Sequence, residues 1–253
     1  MSSNLLETAF EALVQSYLHT ARQRAMGERR QVGRLPAVRY HSMDQMTAGE
    51  PETFFVWRVP PEVALAHVRA AAPQRDCQVV VVGDDGDNAP SMAHYRDAGC
   101  RRLERRWLMS RPLTDPPPER SRHVVYRATR PGEALLLNLM DGADGVMVDD
   151  LRDPDMRFYY VLHREEIVGQ ARAGWLDGGV QWVSGVYTAP SHRRRGVARA
   201  LMTRLLTDGT LAAGGESAAR SMLLATEVAR SLYEALGYQM LARVEIYRCH
   251  APS

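Results

Sequence analysis

The run Val186-Tyr187-Thr188-Ala189-Pro190-Ser191-His192-Arg193-Arg194-Arg195-Gly196-Val197-Ala198 constrains the fold more than any other part of the chain. It joins a stretch that reads as strand, Val180 to Tyr187, to a helix that begins near Gly196 and continues through Arg199 to Leu206. A strand that turns directly into a helix leaves several backbone N–H groups unpaired at the helix start. With the positive end of the helix dipole, those donors make an anion site suited to a pyrophosphate. Gly196 and the small Ala198 let a phosphate approach the backbone, and Arg193, Arg194, Arg195 and Arg199 supply charge. Taken alone, an Arg-Arg-Arg-Gly run also describes a solvated basic turn, so the surrounding elements have to discriminate.

Those elements begin after Arg111-Pro112-Leu113-Thr114-Asp115-Pro116-Pro117-Pro118-Glu119-Arg120-Ser121-Arg122, where successive prolines forbid helix and mark a linker at 113–122. Val124 to Ala128 reads as a strand, and Pro131-Gly132-Glu133 opens an apolar helix through Leu139. Asp141 to Asp155 reads as loop with a helical turn. Arg157 to His163, Glu166 to Trp175 and Val180 to Tyr187 form a meander of antiparallel strands, with Asp177-Gly178-Gly179 suited to a hairpin. After the helix at 196–206 come a buried strand at Ser221 to Ala225, a helix from Glu227 to Leu236 stopped by Gly237, and a last strand from Leu241 to Arg248. The second domain is therefore expected at 123–253.

The first 112 residues carry a shorter version of the same tail. Leu5, Phe10, Leu13, Val14, Tyr17 and Leu18 are spaced as on a helix. Phe54 to Val59 reads as strand, Pro61 to Ala71 as helix, Gln78 to Val82 as buried strand, Pro90 to Ala98 as helix and Arg101 to Met109 as strand. Tyr95 and Gly99 repeat the spacing of Tyr233 and Gly237, each followed by a strand mixing apolar residues with arginine, which reads as a degenerate internal repeat.

Composition narrows the function classes. A count of 32 basic against 30 acidic residues leaves +2, which argues against a nucleic-acid footprint. Apolar runs are too short to span a membrane, and Glu7, Glu11 and Gln15 interrupt any signal-peptide core. Cys77, Cys100 and Cys249 are odd in number and lack metal-ligand spacing, so neither a disulfide framework nor a metal site is expected, and a cytoplasmic setting fits.

From about Val124 to Arg248 the chain resembles the GCN5-related N-acetyltransferase (GNAT) family. The family's phosphate loop, Arg/Gln-x-x-Gly-x-Gly/Ala, is met here by Arg193, Gly196 and Ala198. Its later helix, Asn-x-x-Ala-x-x-Leu-Tyr-x-x-x-Gly-Tyr/Phe, is met by Ala229, Leu232, Tyr233, Gly237 and Tyr238, with Thr226 in place of asparagine. That exchange keeps a helix-capping hydroxyl and loses an amide that contacts the cofactor arm in relatives. The resemblance implies an α/β (α+β) fold with a mixed, mostly antiparallel sheet flanked by helices, and a second, degenerate lobe of the same type at the N-terminus.

The resemblance further implies an enzyme that transfers an acyl group from acetyl-CoA or another acyl-CoA to a primary amine of a small molecule or peptide, without a metal. Backbone N–H groups of Gly185, Val186 and Tyr187 would polarise the thioester carbonyl, and Tyr233 would reprotonate the departing thiolate. The alternative for Tyr233 is a core aromatic. Trp182 to Tyr187 contains no carboxylate to serve as base, which leaves a water chain or a residue from elsewhere, with Glu245, Asp177 and His163 as candidates. Asp141, Asp144, Asp149, Asp150, Asp153 and Asp155 either attract a cationic acceptor or form a solvated loop, and His192 reads as a loop residue. The N-terminal half has Pro60-Pro61 where the phosphate loop would stand, so it is expected not to bind CoA and to act as packing partner, acceptor wall or dimer surface. A catalytically silent CoA-binding module is the competing reading.

Overall fold

The computed structural model describes residues 3–24, 26–41, 52–71, 76–83, 89–118, 121–140 and 145–250. The chain folds into two compact units that do not follow chain order: Met1–Met109 with Ala225–Arg230 and Met240–Ser253, and Ser110–Leu224 with Ser231–Gln239. Among the described residues, no helix is long and apolar enough to cross a membrane.

The first unit opens with helix α1 (Ser3–Arg24), strands β1 (Met26–Val32), β2 (Leu35–His41) and β3 (Glu52–Trp57), helix α2 (Pro61–Ala71), β4 (Cys77–Gly83), α3 (Ala89–Asp97) and β5 (Cys100–Pro112). Alternation along β3 shows why this sheet is covered on both faces. Phe54 and Val56 join Leu35, Leu65, Val68 and Tyr95 in one core. Phe55 meets Tyr17 edge-on at 5.1 Å, and Trp57 lies 5.2 Å from Phe10, so α1 covers the opposite face. The pair β1 and β2 escapes periodicity because Glu28, Arg29 and Arg30 are not apolar and Pro36 interrupts the second strand. A tight turn at Gly33-Arg34, with Gly33 at φ +58, joins them.

The second unit runs β6 (Val125–Ala128), α4 (Pro131–Asn138), a short 3-10 helix (Asp149–Arg152), β7 (Met156–His163), β8 (Glu166–Leu176), β9 (Val180–Thr188), α5 (Val197–Ala213), β10 (Arg220–Ala225) and α6 (Glu227–Glu234). Strands β6 to β9 pair antiparallel in succession, and β10 pairs parallel with β9 across the α5 crossover. Thus a mixed, mostly antiparallel sheet flanked by helices is present, as the sequence order implies. On one face α4 seals a core of Ala134, Leu137, Val146, Phe158 and Tyr160. Glu133 fixes the start of α4 by accepting the Thr129 and Arg130 backbone N–H groups and the Tyr160 hydroxyl.

The last strand, β11 (Gln239–Cys249), pairs antiparallel with β4 from Arg243↔Gly83 to Cys249↔Cys77. Most of it therefore groups with the first unit, whereas Ser110 groups with the second, where its hydroxyl accepts from Arg220. Cys100 and Cys249 are joined as a disulfide across 149 residues, and Cys77 is a buried free thiol. This corrects the expectation that the cysteines form no disulfide. An odd count without spacing signature is silent about which strands the fold lays side by side, and β11 lies between β4 and β5.

Candidate active site

The site is built where β9 parts from its parallel neighbour. Register partners run from Arg220↔Val180 to Leu223↔Val183, and Ser184 to Thr188 have no register partner on that side among the described residues. On the other side, Arg172 pairs with Ser184 and Gln170 with Tyr187, so Gly185 and Val186 together face the single Ala171. This is a β-bulge with its extra residue on β9, and Gly185 sits at φ +59, where a Cβ is disfavoured. Opening and bulge coincide at Gly185 and Val186, whose backbone groups are released from the regular ladder, while Tyr187 is open on the β10 side and keeps Gln170 as its partner on the other.

Beyond β9 the chain holds a defined turn. The Ala189 N–H donates to Val168 O (3.0 Å), and His192 N–H donates to Ala189 O (2.8 Å). Arg193 Nε donates to Thr188 O (3.2 Å), and the guanidinium stands 5.9 Å from the Tyr187 ring centre. His123 Nε2 lies 2.8 Å from Arg195 O. Arg194 at φ +62 and Gly196 at φ +86 swing the chain into α5, and no side chain caps the helix start. A Cβ on Gly196 would meet nothing within 4 Å, so the space over the first turn is open. Arg193, Arg194, Arg195 and Arg199 are exposed around it, Ala198 is half-buried, and Val197 is buried.

Val197 is the anchor of this turn. A Cβ on Gly169 of β8 would fall 2.4 Å from its Cγ1 and 3.2 Å from Tyr187 O. Only glycine lets the first turn of α5 approach the sheet so closely, and that approach fixes the amide groups beside the open edge of β9.

Tyr233, near the end of α6, is buried and meets the Tyr238 ring edge-on at 5.8 Å. The Tyr238 hydroxyl is 2.7 Å from Ser221 Oγ, and burial pushes its pKa up. Tyr233 and the α5 turn belong to the same compact unit. Thr226 and Ala229 fall in the segment grouped with the other unit, where Thr226 Oγ1 caps α6 by accepting the Ala229 N–H at 3.2 Å.

The candidate bases differ in surroundings. Glu245 is buried among Arg105 (2.8 Å), Arg243 (3.5 Å) and Arg102 (3.6 Å). Three cations hold it in a structural role. Asp177 lies in the β8–β9 turn, and the His163 ring stands 5.0 Å from that of His192, in the turn that precedes α5. Of the aspartates between α4 and β7, Asp150 is buried with its carboxylate accepting the Met147 N–H, and Asp149 pairs with Arg152 on the surface. Asp141 and Asp144 lie outside the described residues.

In front of the bulge, on the α4 face, is a small cavity of about 10 Å³ whose wall includes Leu137, Val146, Phe158, Gln170, Arg172 and Gly185. Sequence reading missed Gln170 and Arg172. The available signal was two long polar side chains at i and i+2 within an otherwise apolar strand, hence on one face of it.

Residues 154–240 match the family model described as an acetyltransferase (GNAT) domain. No curated protein matches the chain. Solved structures show the same fold at low identity. A GCN5-related N-acetyltransferase from Kribbella flavida is 20% identical with a TM-score of 0.66, covering 94% of each chain. One from Sphaerobacter thermophilus is 15% identical with a TM-score of 0.56, covering 86% of this chain and 77% of the other. A tandem GNAT protein from the clavulanic acid biosynthesis pathway is 14% identical with a TM-score of 0.57, covering 88% and 82%.

Proposed function

We propose, on the premise that residues 154–240 match the GNAT acetyltransferase domain, that the protein is an acyl-CoA-dependent N-acyltransferase that transfers acetyl from acetyl-CoA to a primary amine. The observation that carries the reading is the coincidence of three features in one unit: the parting of β9 from β10 after Val183, the bulge at Gly185, and the open start of α5 at Gly196.

These features fit the cosubstrate. The first turn of α5 offers unpaired N–H groups and a dipole to the pyrophosphate, with Arg193, Arg194, Arg195 and Arg199 around them. The free edge of β9 offers backbone donors and acceptors to an extended amide-bearing arm, in the manner of an added strand. Bound acyl-CoA supplies the activated thioester. Donors at Gly185, Val186 and Tyr187 stabilise charge on its carbonyl oxygen as the amine attacks, and Tyr233 gives a proton to the leaving sulfur. In this reading the first unit is a degenerate second lobe that does not bind CoA. It follows the same order of strand, strand, strand, helix, strand, helix, strand as β7 through β11, and in both repeats the third strand pairs parallel with the fourth. A homodimer is compatible with this reading, and the Cys100–Cys249 disulfide removes the cysteine argument for a cytoplasmic location.

A thermal-shift titration with acetyl-CoA, followed by a thiol-release assay across an amine panel, tests the proposal. Saturable stabilisation and amine-dependent thiol release are expected. Stabilisation without thiol release from any amine would favour a silent CoA-binding module, a reading supported by the arginine clamp on Glu245.

A further inference from the structure

Helix α4 buries Ala134 and Leu137 against the sheet and turns Leu135, Leu136 and Leu139 outward, where all three are exposed, Leu139 to 77%. With Gly132 they stand at i, i+3, i+4 and i+7, a continuous stripe on the side of the helix opposite the core. The charged side chain of the helix, Glu133, turns back to the Thr129 and Arg130 N–H groups and the Tyr160 hydroxyl. The stripe itself therefore carries no charge. A helix that is apolar all round is ordinarily buried all round.

The stripe has apolar neighbours. Asn138 Nδ2 donates to Val146 O (2.8 Å) and Val146 N–H donates to Asn138 Oδ1 (2.7 Å), which holds the exposed Met147 near the end of α4. On the edge strand β6, Ala128 is covered by the α4 core, and alternation puts Tyr126 and Val124 on the same face, where both are exposed. Tyr126 stacks on Tyr160 at 5.4 Å, which fixes its ring on that face. Of the nine large apolar side chains exposed among the described residues, seven fall between Val124 and Leu162. Apolar exposure is thus concentrated on the α4 side of the second unit rather than scattered.

We propose that this face is where two copies of the chain meet, α4 against α4 about a twofold axis. A partner of identical sequence presents the same uncharged stripe, so a twofold contact sets leucine against leucine and brings no like charges together. The exposed apolar surface amounts to several hundred square ångströms, comparable with the roughly 800 Å² that each partner gives to a standard interface. The contact leaves the phosphate turn free. A Cβ on Gly169 of β8 would point at Val197 of α5, whereas the next residue, Gln170, pairs with Tyr160 of the α4 core. Successive residues face opposite sides of a strand, so α5 and α4 lie on opposite faces of β8.

The test is sedimentation equilibrium of the full-length protein. At about 10 μM, where a dimer with a dissociation constant near 1 μM is mostly formed, the parent is expected at twice the chain mass of 28.3 kDa. Leu135→Glu combined with Leu139→Glu should raise the dimer dissociation constant at least about tenfold, or ~1.4 kcal/mol, with an unchanged far-ultraviolet circular dichroism spectrum. Leu135→Lys combined with Leu139→Lys should do the same, and an equal mixture of the Glu and Lys variants should associate again. Leu211→Glu, at an exposed leucine near the end of α5, should associate as the parent does. A monomeric parent overturns the proposal, and so does a folded Glu variant that dimerises like the parent or a Glu and Lys mixture that stays monomeric. A monomeric parent that floats with neutral phosphatidylcholine vesicles, and no longer does so as the Glu variant, would assign the face to lipid instead.

Discussion

Val183 of β9 and Leu223 of β10 are the last register partners of their parallel ladder, and the bulge at Gly185 begins within two residues of that rung. The loss of a neighbouring strand and the loss of regular pairing therefore occur at one place. A gap alone would expose the strand edge, and a bulge alone would turn it. Together they present backbone donors to whatever enters beside β9. Gly185→Val should cost about 1–2 kcal/mol from its left-handed backbone and lower kcat more than it raises the acetyl-CoA Kd. An unchanged kcat in a folded variant would detach the bulge from catalysis.

Gly196 has φ +86 and open space around its missing Cβ. The free protein has room for a larger side chain there, so a substitution acts on the backbone conformation and on the bound pyrophosphate. Gly196→Glu should raise the acetyl-CoA dissociation constant at least about tenfold, or ~1.4 kcal/mol. Calorimetry on the folded variant checks it, and an unaltered constant would remove the turn from the cofactor site.

Tyr233 packs edge-on against Tyr238, so Tyr233→Phe keeps the ring contact and deletes only the hydroxyl. Turnover should fall by about 10²–10⁴-fold, the usual contribution of a positioned acid, with acetyl-CoA affinity nearly constant. Turnover within twofold of the parent would make the residue a core aromatic.

Glu133 couples α4 to the sheet. Burial disfavours its charge, but the Thr129 and Arg130 N–H groups, the Tyr160 hydroxyl and the Arg130 charge outweigh that and hold its pKa below the ordinary value of 4.5. A depressed carboxylate pKa stabilises the fold above the unfolded-state value, and that stability is lost as pH falls through the folded-state value. Glu133→Ala should therefore lower stability at pH 7 by about 1 kcal/mol, as loss of a helix-start acceptor does. The difference from the parent should shrink towards pH 3 in urea melts. A pH-independent difference would mean the carboxylate charge is not what matters.

The pairing of β11 with β4 predicts the behaviour of a cut chain. With the peptide broken between positions 113 and 122, the two pieces should co-purify even under thiol reductant, where the Cys100–Cys249 bond does not contribute. Separation of the pieces in native buffer would contradict the strand exchange.

Most elements were legible because their signals are local. Pro61 opens α2, Gly237 follows α6, and the Arg193–Gly196–Ala198 spacing marks the α5 turn within a dozen residues of chain. Such features depend on backbone sterics and on which groups a helix end leaves unpaired, and neither needs a distant partner. The hairpin of β1 and β2 was not legible, because its charged residues follow no apolar period. The disulfide, the company kept by β11 and the cavity holding Arg172 were decided by the tertiary structure. Each depends on which strands lie side by side, and pairing partners such as Cys77 and Cys249 are far apart in sequence. Hydrophobic alternation tells a strand which face to bury; it does not say which neighbour will complete its hydrogen bonds, and that choice is settled by the packing of the whole sheet.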